Sequence, residues 1–374
     1  MVFGQIFNRR ALALAFALGA ACPAVGGDGA GDGGVDADAF DRISTTVREL
    51  SSHGSRMPGY PGDAHAADFI ESELRAAGVD NVSREPYELA VPIDKGASME
   101  ILDGRGRIIS MLSMWPNLVR TTTTGPEGIT GNLFYGGRGE HADFDGHQMW
   151  GAVVMLEFNS WKNWKNAAAL GAAAIIFIEP EETTLFESRQ KWSWAPVDVP
   201  RFWLTRQAAL ALRQELGDGE LQVRVQARMD YENRTTWNIW GTVPGVDPQL
   251  QDQIIVVESY FDAISVVPAA APGAESTAGV AALLEYARYL HDHPPARTVV
   301  LLASGSHFQQ QTGAFAFLNR HARSLAPFRG RMPVRFVSDS LNVERLVRET
   351  SRRNLPLDTL GIDLRLEGGQ PVFD

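Results

Sequence analysis

The sequence predicts an α/β fold in which a mainly parallel sheet is covered by helices, and two observations carry that expectation. Short unbroken apolar runs, "IIVV" at 254–257, "AIIFI" at 174–178 and "TVVLLAS" at 298–304, have the length and β-branched content of buried strands. Segments with apolar residues at helical spacing stand between them. A strand–helix–strand order implies parallel strands joined by crossover helices.

The chain of 374 residues is long enough for two domains, or for one large domain carrying an insertion. Its composition, 44% hydrophobic and 21% charged, excludes wholesale disorder. A formal net charge of −11 argues against a nucleic-acid partner, because phosphate binding needs clustered Lys and Arg; otherwise such acidity only serves solubility.

Residues 1–24 read as a secretory signal peptide: Arg9 and Arg10 precede an apolar stretch from Ala11 to Ala21 and then small residues. That stretch is too short to span a bilayer, and no later segment approaches the roughly 20 apolar residues a spanning helix needs. The expectation is an exported chain, periplasmic, extracellular or held on the outer side of a membrane, with no transmembrane segment in its mature part. Cys22 is the only cysteine, which excludes an intramolecular disulfide and leaves a lipid anchor there open, although Gly19 and Ala20 depart from a lipobox.

Residues 25–38, rich in Gly and Asp, form a linker by composition. Two helices follow: Phe40, Ile43, Val47 and Leu50 mark one face of the first. Ala67, Ile70, Leu74 and Ala77 mark the second, with Gly78 placed to end it. From about Asn117 to Met229 the texture changes. "GAVVMLEF" is strand-like, "NSWKNWKNAAALGAAAIIFIEP" holds a short helix and a buried strand, and "VDVPRFWLTRQAALALRQEL" adds a strand and a helix. Beyond this α/β module, "WNIWGTVPG" and "DQIIVVESYFDA" are expected to be adjacent strands. "STAGVAALLEYARYLHDHPPARTVVLLAS" then gives a helix, a Pro-Pro break and a further buried strand.

Four tryptophans invite a functional reading. Trp161 and Trp164 stand three apart, as on one helix face; Trp192 and Trp194 alternate, as on one strand face. Core packing accounts for such rings. The alternative is a recognition surface for a peptide or protein partner, since Trp is enriched in interface hot spots. Serine chemistry finds no support, because "SGSH" (304–307) and "HGSR" (53–56) lack the G-x-S-x-G elbow. His291 and His293 of "HDHPP" sit at a helix end, where the helix dipole accounts for them.

Five stretches in order resemble the secreted co-catalytic zinc aminopeptidases, the metallopeptidase family that includes glutamate carboxypeptidase II and the transferrin receptor ectodomain. "SRMPGYPGDAHAADFIESELRAAGV" is similar to the family's opening segment, and "NSWKNWKNAAALGAAAIIFIEP" with "VPRFWLTRQAALAL" to its inserted protease-associated domain. "NIWGTVPG", "PGAESTAGVAALLEYARYL" and "TVVLLASGSHFQQQTGAFAFL" are similar to the core strands, loops and helix around the metal site. The resemblance covers about Asp41 to Gly368. It implies a three-layer α/β sandwich around a mixed, mainly parallel sheet, formed by residues 39–116 and 230–374, with a protease-associated domain inserted at 117–229. It also implies two zinc ions roughly 3.5–4 Å apart, held by histidines and carboxylates, with a glutamate that activates their shared water.

Carried over position by position, the implied ligands are mostly replaced. "SYFDA" keeps Asp262 but has Tyr260 where a histidine ligand is implied. "PGAESTAG" offers Glu275 for the bridging aspartate, or Ser276 with a one-residue shift. The Glu-Glu pair, base and then ligand, falls on His307 and Phe308, and Arg365 of "GIDLRLEGG" stands at a further aspartate ligand. The last histidine would lie on a strand beyond Asp374, so the peptidase-like part reads as C-terminally incomplete. Phe308 has no donor atom. Arg365 would set a permanent positive charge about 4 Å from a dication, costing several kcal/mol at an effective dielectric of about 20. The expectation is an exported, peptidase-like binding or scaffold module, catalytically inactive and without zinc or another cofactor. The alternative is an active zinc-dependent aminopeptidase with a rewired or misaligned site, for which Asp262, Glu275 and His307 are the metal-ligand candidates.

Overall fold

The computed structural model describes residues 37–117, 120–192, 197–324, 364–367 and 370–373. The expected signal peptide, Cys22, most of the linker and Trp194 lie outside them. By internal contacts the chain divides into Met1–Arg42 and Ile43–Asp374. Of the first unit only the start of helix α1 (Ala37–Ser51) is described, and it begins within the segment read as linker.

Among the described residues the second unit carries nine strands in one sheet: β1 (Asp80–Ile101), β2 (Arg107–Ser113), β3 (Ile129–Tyr135), β4 (Val153–Glu157), β5 (Ala174–Ile178), β6 (Arg201–Leu204), β7 (Leu221–Val243), β8 (Ile254–Tyr260) and β9 (Thr298–Ser304). Their order is β1-β2-β6-β5-β4-β3-β7-β9-β8. The helices are α2 (Pro61–Ala76), α3 (Trp164–Ala169), α4 (Leu185–Lys191), α5 (Arg206–Leu216), α6 (Ala278–Asp292) and α7 (Thr312–Ser324). A separate antiparallel pair joins β10 (Leu364–Glu367) to β11 (Gln370–Phe373).

Helices cover both faces, and the alternation of side chains along the strands shows it. On β9, Val299, Leu301 and Ala303 pack with Ile70 and Leu74 of α2 and Leu283, Leu284 and Ala287 of α6. Val300 and Leu302 point the other way, onto Phe317 of α7. The same division holds across β4 and β5. Val153, Met155, Ala174, Ile176 and Ile178 meet Ala209, Leu212 and Leu216 of α5, while Val154, Leu156, Ile175 and Phe177 meet Trp164 and Ala167 of α3.

Parallel pairing follows the crossover logic along β3–β4–β5–β6 and between β8 and β9. The sheet is mixed as expected, but antiparallel pairing dominates along β1 and β7, which pair from Asp80↔Thr242 to Ile101↔Val223. These long strands lack an apolar run because one face of each stays in contact with solvent; Glu88, Arg224 and Arg228 lie on it. At its N-terminal end β7 pairs with β3, and at its C-terminal end with β9. The core around α5 also draws in Met99, Ile101 and Met111, from the chain ahead of residue 117.

The strands of "WNIWGTVPG" and "DQIIVVESYFDA" are not neighbours, which corrects the sequence expectation. Strand β9 lies between them, antiparallel to β7 and parallel to β8. Helix α6 returns the chain across the sheet, and β9, buried from Val299 on, takes the interior place, leaving β8 at the edge of the described strands with Ile254, Ile255 and Val256 each almost half exposed.

This burial predicts unequal costs within one strand pair. Leu301→Ala should lose about 2–5 kcal/mol of stability, whereas Ile255→Thr should stay within about 0.5 kcal/mol. Urea denaturation of the two variants checks it; equal losses would contradict the edge placement of β8.

Candidate functional site

The loop between α1 and α2 carries Arg56, whose side chain is fully buried. All five guanidinium N–H groups are used. Nε donates to Phe261 O at 2.7 Å, Nη1 to Leu50 O at 2.9 Å and to Pro272 O, and Nη2 to Gly273 O at 2.9 Å and Ser276 Oγ at 2.8 Å. The backbone joins in, with Arg56 N donating to Ala271 O and Ala263 N to Arg56 O. Burial lowers the Arg56 pKa to about 10, and Asp262, Glu275 and Asp63 oppose that shift. The group therefore stays charged at neutral pH. One cation thus ties together the loops that carry Asp262 and Glu275, 261–263 and 271–276.

Asp262 follows β8 and is fully buried. Its Oδ1 accepts from His307 N at 3.0 Å and its Oδ2 from Phe308 N at 3.4 Å. Burial pushes its pKa up to about 7, against those two backbone donors. The loop it holds is strained: Ser306, Gln310 and Gln311 all have φ between 56° and 59°. Further anchors are Tyr87 OH, which donates to Ser306 Oγ at 3.0 Å, and Asn238 Nδ2, which donates to Gly313 O at 2.8 Å.

The structure brings Tyr260, His307 and Phe308 together as an aromatic cluster. The rings of Tyr260 and His307 stack at 4.0 Å, and Phe308 meets Tyr260 edge-on at 5.5 Å. Glu275 is exposed, in the short 3-10 turn Ala274–Thr277, and close enough to Tyr260 and Arg56 to act on their charges. Ser276, the other choice for that position, is taken by Arg56. Arg365 lies on β10, paired with Val372, and its side chain is outside the described residues.

These residues do not fit a pair of zinc ions. Tyr260 and Phe308, at the positions where the resemblance implies an imidazole and a carboxylate, offer a phenol and a hydrocarbon ring, and the Asp262 carboxylate already serves backbone N–H groups. Asp262, Glu275 and His307, the candidates for a rewired site, are not a converging donor group: among the described residues, that description fits Glu49, His53 and His65 alone, whose ligand atoms lie within 4.8 Å of one another. The sequence reading missed this group and Arg56. In "HGSR" the serine is the residue with a recognisable motif context, and a helix-end Glu with histidines 4 and 16 residues on gives no periodic signal.

The tryptophans divide. Trp164 is wholly buried and its Nε1 donates to Gln190 O at 2.9 Å, so it serves the core and offers no surface. Trp161 stands ahead of α3 in a left-handed turn (φ 50°), not on its face, and remains partly exposed against Phe186 at 4.4 Å. Trp192 ends α4 rather than joining a strand, and packs 6.2 Å from Trp115.

Residues 238–330 match the family model described as Peptidase family M28, a span that includes every family-site position from Tyr260 to Phe308. Comparison with curated proteins gives no match. Among solved structures, the chain is similar to BSAP, a zinc aminopeptidase from Bacillus subtilis, at 22% identity and a TM-score of 0.51, covering 75% of this chain and 64% of that one. It is also similar to an aminopeptidase from Aneurinibacillus sp. strain AM-1, at 21% identity and a TM-score of 0.41, over 75% of this chain and 66% of that one. A Peptidase M28 precursor from Shewanella amazonensis gives 16% identity and a TM-score of 0.46, over 77% and 68%. The Bacillus structure supports the aminopeptidase-like fold, and the matched segment makes the chain peptidase-like. This chain spans about two-thirds of the length of those aminopeptidase chains. No helix among the described residues is long and apolar enough to cross a membrane.

Two predictions follow the buried charges. Lysine offers three donors where Arg56 uses five, so Arg56→Lys should cost at least about 2 kcal/mol, while the same change at exposed Arg105 should stay within about 0.5 kcal/mol. Chemical denaturation decides it, and equal effects would refute the network's importance. Asp63, buried on α2 and accepting from Gly59 N and Thr236 Oγ1, is also pushed up to about 7, chiefly by burial. A carboxyl raised above its unfolded value of about 3.9 stabilises the fold while protonated and loses that contribution as pH rises through its folded pKa. The fall in urea midpoint from about pH 5 to about pH 8 should therefore be smaller in Asp63→Asn than in the wild type. An unchanged fall would sink this account.

Proposed function

We propose that this peptidase-like chain acts as an exported binding or scaffold module and not as a peptidase. The observation that carries the reading is the Tyr260–His307 ring stack at 4.0 Å, standing where the family resemblance implies zinc ligands. Hydrolysis by paired zinc ions needs a metal-activated water and a base beside it. Here the implied base position is His307, its ring packed on Tyr260, and the neighbouring ligand position is the hydrocarbon Phe308. The fold around these positions is retained because burial and hydrogen bonding hold it, independently of any reaction.

A peptide or protein is the partner class this reading favours. The Trp161–Phe186 pair supports it, because both rings are partly exposed and Trp161 is held from behind. Its backbone N–H donates to Glu187 Oε2 at 3.0 Å and its backbone carbonyl accepts from the buried Lys191 Nζ at 2.9 Å. A fixed aromatic ring binds at low entropic cost. The protease-associated reading of residues 117–229 and the leader-like residues 1–24 belong to the same proposal.

The purified protein should show no chelator-sensitive cleavage of aminoacyl chromogenic substrates. Tyr260→His, Phe308→Glu and the combination of Tyr260→His, His307→Glu, Phe308→Glu and Arg365→Asp should remain equally inert, since residues of a dinuclear site act as a unit. Clear turnover by the wild type or a single variant, abolished by chelator, would restore the aminopeptidase reading.

A further inference from the structure

The loop that carries Arg56 is flanked by a group of donors with no role in the reading above. Glu49 lies in the last turn of α1, His53 in the loop after it, and His65 on α2. His65 Nε2 is 3.0 Å from Glu49 Oε1, and the two imidazole rings stack at 3.4 Å. The group is reachable from solvent: the His65 and Glu49 side chains are 31% and 40% exposed, and His53 is exposed.

Hydrogen bonding around the group prepares a lone pair. Ser52 Oγ has one proton and donates it to Glu49 O at 2.8 Å. It therefore accepts from His53 Nδ1 at 2.7 Å, which fixes the proton there and leaves the lone pair on Nε2. Outer bonds of this kind set the tautomer of ligating histidines in metal sites. A plain Glu–His ion pair accounts for Glu49 and His65 but not for this second, oriented imidazole stacked on the first. The carboxylate also stands at the C-terminal end of α1, where the helix dipole disfavours an anion and a cation relieves it.

We propose that Glu49, His53 and His65 form a structural site for one divalent transition-metal ion of the zinc class, with water completing the coordination. Two imidazoles and a carboxylate are a zinc-type donor set. Tetrahedral bonds of about 2.0–2.1 Å place ligand atoms roughly 3.4 Å apart; the donor atoms lie within 4.8 Å, and binding draws them together and turns the stacked rings until both lone pairs meet at the ion. On binding, His65 gives up the proton that Nε2 directs at Glu49 and keeps its ring proton on Nδ1, so that a neutral imidazole presents the Nε2 lone pair to the metal between the two side chains. The ion would tie the end of α1 to α2 across the loop that positions Arg56. The site shares no residue with the family-site positions, so the reading of those positions as zinc-free is unaffected.

The test is to titrate Zn2+ into the metal-free full-length protein, count bound metal after dialysis, and follow thermal unfolding in parallel. The wild type should hold one zinc per chain and gain Tm with it, and should ignore Ca2+ and Mg2+, which prefer oxygen donors. His53→Ala and Glu49→Gln should each weaken binding more than about tenfold. His65→Gln keeps an N–H donor for Glu49, so it should abolish binding while leaving the Tm of the metal-free protein near that of the wild type. His307→Ala should leave zinc binding unchanged. Absence of zinc from the wild type, persistence in His65→Gln, or loss in His307→Ala would overturn the proposal.

Discussion

A single buried guanidinium organises this half of the molecule. Four of Arg56's five hydrogen bonds go to backbone carbonyls and the fifth to Ser276, so it reads loop conformation rather than side-chain identity. A charge taken out of water is tolerable only when each donor is met, and the partners here come from three separate stretches of chain. The loops after β8 and before α6 are therefore not independent. Whatever displaces one changes the surroundings of the cation and is felt by the other.

The second organising feature is the paired length of β1 and β7. Each strand passes from one packed region to the other, so the cores around α6 and α5 are joined by continuous backbone hydrogen bonding and not by a linker. Such a join transmits register: a slip near Asp80 would carry through to Ile101 unless the irregularities at Asp80/Ser83 and Asp94/Ala97 absorbed it.

Much of this was legible in the sequence, and the limits have physical causes. The helices around Ile70 and Leu284 and the strands at 174–178 and 298–304 were readable because burial on a whole stripe or on both faces leaves an apolar signature. Strand β1 and the part of β7 before Trp237 were not, since their outer faces carry charges and their stability lies in pairing partners more than a hundred residues away. Asp262, His307 and Phe308 were placed together by family resemblance, yet nothing in the residue pattern reveals that Tyr260 would stack on His307. Arg56 was invisible for a related reason. An arginine in a Gly/Pro-rich loop reads as a solvated charge until the carbonyls that surround it are known.

The exposed edge of β8 has a consequence for the life of the chain outside its folded state. Ile254, Ile255 and Val256 combine high β-propensity with exposure, and among the described strands β8 pairs only with β9, the kind of strand edge from which intermolecular sheets grow. Asp252 before the run and Glu258 near its end act as gatekeepers, placing negative charge where an incoming strand would align. The net charge of −11 adds a general repulsion between copies of the chain to this local protection of the strand.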